Sequence, residues 1–195
     1  MDKLNKQIDF ILEIDKLKTV LRRSMITDGS RRENSAEHSW HLCMLAVVLS
    51  EYAPEGTDIS HVVKMLLMHD LVEIYAGDTY LYDEEGNKTK AKRENEAADK
   101  LYSILDEPQG SELKNLWYEF EKCETSEALF ANALDRLQPI LLNYTNKGTL
   151  WLENNVHKND VEEHAYRLTR LSHPKLRKFA LDLLDKAVEK GYIED

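Results

Sequence analysis

Residues 61–78, HVVKMLLMHDLVEIYAGD, form an almost uninterrupted apolar run that nevertheless carries His69, Asp70 and Glu73. The run is longer than an ordinary strand, Asp58 or Ser60 can cap its start, and Gly77 can end it, so the pattern predicts a helix. Apolar character on most sides is expected of a central helix, surrounded by others. Burying the three ionisable groups without partners would cost several kcal/mol, so they must pair, hydrogen-bond or hold a metal. On an ideal helix His69 and Glu73 are one turn apart and point the same way, with Asp70 about 100° around. A cation between the directions of His69 and Asp70 could touch both.

The remaining segments also read as helices. Leu4, Ile8, Ile11, Leu12, Ile14, Leu17 and Leu21 recur at helical spacing over residues 4–21. A polar, basic stretch at 22–32 reads as a loop. Asn34-Ser-Ala-Glu37 then offers a capping box for a helix running to about Tyr52. Residues 79–90, with Asp83, Glu84 and Glu85, read as a loop, and a helix follows over about 89–105. Further helices are expected through Leu113, Leu116, Trp117 and Phe120, and from Thr125 past a kink at Pro139 to Leu142. Asp160-Val-Glu-Glu163 suggests a capping box, and Pro174 a first helical residue, for two more. The last would bury Leu176, Phe179, Leu183, Leu184 and Val188. Residues 146–159 read as an exposed connection. No strand pattern is evident, and seven Gly and four Pro leave little room for a turn-rich sandwich. The expectation is an all-α fold, with 195 residues in one domain spanning 1–195.

A formal net charge of −10 disfavours a partner that is a nucleic-acid backbone, while leaving room for a small phosphorylated ligand at a locally positive site. Cys43 and Cys123 are far apart with no CxxC pair, as expected of reduced thiols. The amino-terminal run MDKLNKQIDFILEIDK is charged throughout, unlike a signal peptide or membrane span. A cytoplasmic location is expected.

A His-Asp dipeptide alone is more often a buried histidine hydrogen-bonded to a neighbouring acid. Two other residues add to it. His38 sits in the first turn of a capped helix, and Asp135 lies on the Ala128–Ala131–Leu142 side of another. Each has a plain alternative: a surface histidine, and an exposed acid beside Arg136. Taken together, the order is His, then His-Asp, then Asp, on three separate helices. The segments RRENSAEHS, HDLVEIYAGD and LWYEFEKCETSEALFANALDRLQ, with their spacing, resemble the HD-domain phosphohydrolases. The 5′-deoxynucleotidase branch is the one they resemble, over roughly residues 8–145.

That resemblance implies a helical bundle around a single divalent metal, hydrolysis of (deoxy)nucleoside 5′-monophosphates, and a homodimer. It implies His38, His69, Asp70 and Asp135 as metal ligands. Glu73 and Asp78 correspond to acidic residues that act in catalysis or substrate binding, and Arg23 to an arginine that contacts substrate. Ser24 departs from the resemblance, because one nucleotidase of the family has a tryptophan after that arginine, which leaves sugar and base preference open.

Two imidazoles and two carboxylates suit Mn, Co, Fe, Ni, Zn or Mg without choosing among them. Such an ion polarises a phosphoryl group and acidifies water. Since two carboxylates offset its charge, Arg23, Arg31 or Arg32 must help balance a phosphate. Glu73 either moves a proton or orients His69. Asp78 either binds a sugar hydroxyl or serves as a turn residue. His41, one turn beyond His38, could support the site from behind the ligands, but more often such a residue is packed or at the surface, while His61, His157, His164 and His173 suit the surface or caps. The run KTKAKR at 88–93 reads as a solvated helix start that could attract phosphate, and Trp40, Trp117 and Trp151 as core or dimer contacts. Two alternatives remain open: hydrolysis of a triphosphate, guanosine tetraphosphate-like or cyclic nucleotide, and a non-catalytic metal-binding bundle. The C-terminal helices, 160–190, pack on the bundle or at a dimer interface.

Overall fold

The computed structural model describes residues 2–79, 84–164 and 173–195, without the side chains of Glu84, Glu85 and His164. Helix α1 (Lys3–Ile14) passes into a 3₁₀ turn (Asp15–Thr19) rather than continuing to residue 21. A two-stranded antiparallel hairpin follows, β1 (Leu21–Met25) and β2 (Arg32–Asn34), where a loop was expected. Leu21 faces Asn34 and Met25 faces Arg32, with an irregular register between them. The physical reason is inverted polarity. Ser24 and Glu33 point inward while Leu21 is 58% exposed, so the two-residue alternation is present without its usual apolar signature.

Asn34 caps α2 (Ser35–Val48) through the expected box: its Oδ1 accepts from Glu37 N–H at 2.9 Å, and its own N–H donates to Glu37 Oε2 at 3.3 Å. Asp58 caps α3 (Ile59–Met68), accepting from the amides of Ser60 and His61. The predicted continuous helix then breaks. The amides of Leu71, Glu73 and Ile74 each donate three residues back, and helical geometry resumes only in α4 (Glu73–Ala76). Downstream lie α5 (Glu84–Tyr102), α6 (Gln109–Lys122) and α7 (Ser126–Thr145). Helix α5 occupies part of the span expected as a loop; residues 80–83 lie outside the described residues.

Helix α7 begins beside Thr125, near where a helix start was expected, with Thr125 as its cap, and Pro139 lies inside the helix. The connection at 146–159 is partly ordered as α8 (Thr149–Glu153), which buries Trp151. Helix α9 (Lys158–His164) starts before Asp160, so that acid is not the cap residue; its Oδ2 instead accepts from His157 N–H at 2.8 Å. Pro174 opens α10 (Pro174–Glu189), and His173 caps it by accepting from Lys175 N–H.

Two apolar clusters result. One gathers α2, α3, α7 and α10 around Leu42, Leu66, Leu134 and Leu184. The other packs Phe10, Leu71, Leu101 and Trp117 beneath α1 and α5. Leu176 and Leu184 of α10 thus bury on the bundle, whereas Phe179 remains 51% exposed, contrary to expectation. Trp40 is also excluded from the core, at 63% exposure. Met65 and Leu66 belong to the first cluster, Leu71 and Val72 to the second. His69 and Asp70 therefore sit where the chain crosses from one core to the other.

Candidate metal centre

The break after α3 decides how the expected residues meet. Turns with three-residue bonds bring side chains i and i+3 into line, so Asp70 and Glu73 share a side where an ideal helix would have matched His69 with Glu73. His38 enters from the first turn of α2 and is wholly buried. Asp135 enters from α7, four residues before Pro139, whose missing amide leaves no helical donor for the Asp135 carbonyl. One ligand atom from each of His38, His69 and Asp135 lies within 4.8 Å of the others. Asp70 adjoins them, with Oδ1 3.1 Å from His69 Nε2 and Oδ2 3.9 Å from His38 Nε2.

Hydrogen bonds orient both imidazoles. His69 Nδ1 donates to the Leu66 carbonyl at 2.8 Å, which leaves the Nε2 lone pair facing inward. That buried Nε2 makes no hydrogen bond although carboxylate oxygens of Asp70 and Asp135 lie 3.1 and 3.9 Å away. A lone pair facing acceptor oxygens is satisfied by a cation between them. The donor set therefore fits a divalent metal. His38 Nδ1 bonds Gln138 Oε1 at 3.2 Å, and its Nε2 bonds Asp135 Oδ1 at 3.0 Å. Gln138 is itself fixed, donating through Nε2 to Glu33 Oε1 at 2.7 Å and to His41 Nδ1 at 3.3 Å.

The buried charges of the cluster act strongly on one another. Burial and Arg22 disfavour a charged His38, yet bonds to Asp135 and Glu33 and the charge of Asp70 raise its pKa to about 9. Burial opposes ionisation of Asp135, but the His38 bond and the Arg136 charge hold it well below the ordinary carboxylate range. Glu73 is pushed well upward, first by burial and then by the Asp70 charge, with Arg22 opposing. Ser35 O–H donates to its Oε2 at 2.7 Å. Asp78 is likewise raised, by burial and by Asp70 against Arg22.

A cavity of about 190 Å³ opens on this cluster, lined by Arg22, Arg23, His69, Asp70, Glu73, Asp78, Asp135 and Arg136, among others. Sequence reasoning placed Arg22 only in a loop, yet its Nη1 donates to Asp70 Oδ2 at 2.8 Å, and Asp70 and Glu73 raise its already high pKa against the effect of burial. Arg23 lines the cavity and lies 3.5 Å from Asn154 Oδ1. Arg31 and Arg32 do not line it. Arg31 turns outward and donates two hydrogen bonds to the Glu37 carboxylate, at 2.7 and 2.8 Å, and Arg32 is exposed. Glu33, Ser35, Gln138 and Glu94 also escaped the sequence reading, whereas Lys90, which lines the cavity, belongs to the basic run at 88–93. The burial of Glu33 in a short polar strand could have been suspected only from the hairpin, and Gln138 only from its distance of three residues from Asp135. His61 pairs with Glu119 at 2.8 Å, away from the centre. No helix among the described residues is long and apolar enough to cross a membrane.

Comparison with known proteins bears on family and fold. Residues 14–177 match the model of the HD domain. The chain is 27% identical over 187 residues to the 5′-deoxynucleotidase HDDC2 of Dictyostelium discoideum, covering 92% of this chain and 97% of that protein. It is 28% identical to the human protein of the same name, covering 69% of this chain and 65% of that protein. A crystal structure described as a predicted metal-dependent phosphohydrolase from Magnetospirillum magnetotacticum MS-1 superposes with a TM-score of 0.94 at 45% identity, covering 99% and 96% of the two chains. The PH0347 protein of Pyrococcus horikoshii OT3 superposes with a TM-score of 0.67 at 25% identity, covering 94% and 99%. With the match to the family model spanning most of its length, the chain belongs to the HD domain family.

Proposed function

We propose that this protein is a metal-dependent phosphohydrolase that releases phosphate from (deoxy)nucleoside 5′-monophosphates. One observation carries the reading: the inward lone pair of His69 faces carboxylates beside a cavity that also presents arginines and two carboxyls of raised pKa. The names of the HDDC2 relatives supply the substrate class. His38, His69, Asp70 and Asp135 would hold the cation. Once bound, it would polarise the phosphoryl group and make water a better nucleophile.

The protein groups would do the rest. Arg22, fixed by Asp70, and Arg23 at the cavity wall offset phosphate charge. Burial and the Asp70 charge push the Glu73 carboxyl well upward, which suits it to hold a proton and give it to the departing sugar oxygen. Ser35 fixes the rotation of that carboxyl. Asp78 faces the same space and accepts a bond from a sugar hydroxyl. Phosphate release from a panel of deoxy- and ribonucleotides with Mn²⁺, Co²⁺ or Mg²⁺ tests the reading. Pyrophosphate release from triphosphates, or stoichiometric metal without turnover, would refute it.

The protein is further proposed to be a cytoplasmic homodimer. Trp40, Met44, Val47 and Val48 form an exposed apolar stripe at helical spacing along α2, and Leu4, Ile8, Ile11 and Leu12 a second on α1. A second copy of the chain would cover such surface. Light scattering should give twice the chain mass, and Trp40→Glu should give the monomer; a monomeric parent protein would exclude the dimer.

A further inference from the structure

Gly77 ends α4 in a left-handed conformation, φ +76°, and Asp78 follows it into the cavity. Within α4 the tether on this dipeptide is the Gly77 amide, which donates to the Glu73 carbonyl at 2.8 Å. The residues on either side are gripped from α5. Arg93 Nη1 donates to the carbonyl of Ala76, the last residue of α4, and Nη2 donates to Thr79 Oγ1 at 2.9 Å. The same Nη2 reaches the Gly86 carbonyl at 3.2 Å, and Nε reaches Thr89 Oγ1 at 3.3 Å. One planar guanidinium therefore binds the residue before Gly77-Asp78 and the residue after it, and ties both to the first turns of α5. The spacing of its donors is rigid, so a shift of one anchor relative to the others breaks a bond.

Asp78 has reason to drift. Its carboxyl feels the like charge of Asp70 and is partly desolvated, while Arg22, His38 and Lys90 attract it. A carboxyl under opposing pulls on a glycine hinge keeps one position only if its backbone is held. We propose that Arg93 is the positioning residue that sets Asp78 in the cavity, and through it the handling of the sugar of a nucleoside monophosphate. This rests on the role given to Asp78 under the proposed function. The arginine of the basic run at 88–93 thus acts on the protein's own loop and not on phosphate. Arg93 does not touch substrate in this scheme. A guanidinium that merely caps α4 would make the same Ala76 bond, so the test must reach Asp78.

The test is a double-mutant cycle on the metal-loaded enzyme, using a 2′-deoxynucleoside 5′-monophosphate and its ribo counterpart. Arg93→Gln should lower kcat/KM by about 100-fold, the usual consequence of misplacing an active-site group by about an ångström. It should move the deoxy-to-ribo preference in the same direction as Asp78→Asn, with metal content unchanged. In the Asp78→Asn background Arg93→Gln should change kcat/KM by no more than about twofold, because its effect has already been removed. Thr79→Val, which deletes one anchor at constant volume, should give a smaller loss of the same kind and serves if Arg93→Gln does not fold. Full multiplicative losses in the double variant, or an unchanged sugar preference in Arg93→Gln and Thr79→Val, would overturn the inference. If Asp78→Asn alone leaves rate and preference intact, the role of Asp78 falls and this inference with it. A loss in Asp78→Asn without one in the Arg93 and Thr79 variants condemns only the inference.

Discussion

Replacing Gln138 by Leu should weaken metal binding more than it alters the shape of the site. The substitution nearly conserves volume at a wholly buried position, so packing changes little. What changes is bonding. His38 Nδ1 loses its acceptor at 3.2 Å, and Glu33 Oε1 loses its donor at 2.7 Å. Each buried group left without a partner costs about 1–3 kcal/mol, and the carboxylate lies at the upper end. His38 Nδ1 can recover part of its loss from Glu33 Oε2, 3.5 Å away. A net destabilisation of about 3 kcal/mol follows, or a fall in Tm of about 6–12 °C for a chain of this size. Metal affinity should drop about 10–100-fold, since the imidazole loses the bond that selects its tautomer and direction. Calorimetric titration with Mn²⁺ or Co²⁺, beside thermal melts with and without metal, measures both quantities. Affinity within about twofold of the parent protein would refute the argument that Gln138 orients His38 for a cation.

Other outcomes follow from the same geometry. Asp70→Ala should lose both metal and turnover, because it removes a proposed ligand and releases Arg22; retained stoichiometric metal would contradict the ligand set. Glu73→Ala should keep the metal and lose most turnover, and an active Glu73→Ala enzyme would end its proton-transfer role. Chelation should lower Tm, since the inward-facing His69 and Asp135 then lose the ion between them; an unchanged melt would speak against a bound ion. Glu94 tests the electrostatics by pH. Burial raises its pKa from 4.5 to about 7, with Glu121 and Asp70 adding to the rise and Lys90 opposing it. The folded state thus favours the protonated form, a contribution present below pH 4.5 and lost as pH climbs through 7. Glu94→Gln should therefore gain stability relative to the parent between pH 4 and 8. Solvent screening holds that gain to about 1–2 kcal/mol, and a flat difference in denaturant melts would refute it.

Much of this protein could be read locally. Caps at Asn34, Asp58 and Thr125, and proline at 174, need only neighbouring backbone, and each is where the residue types place it. His69, Asp70 and Glu73 stood out because ionisable groups in an apolar helix demand partners, whereas His38 and Asp135 joined them only through the resemblance to the HD-domain phosphohydrolases. Other features depend on groups distant in the chain. The inward faces of β1 and β2 are polar because Arg22 and Glu33 serve a cluster built by α2 and α7, so no apolar alternation announced a hairpin. The break at 69–72 arises where the chain passes between two cores, and it sets Asp70 rather than His69 beside Glu73. Arg31 turned to Glu37 and Arg22 to Asp70 although both lie in one basic stretch. Local pattern determines which segments are helical and which residues need partners. Which partner each finds is decided by long-range packing, because a charge pairs with whatever the folded chain brings within a few ångströms.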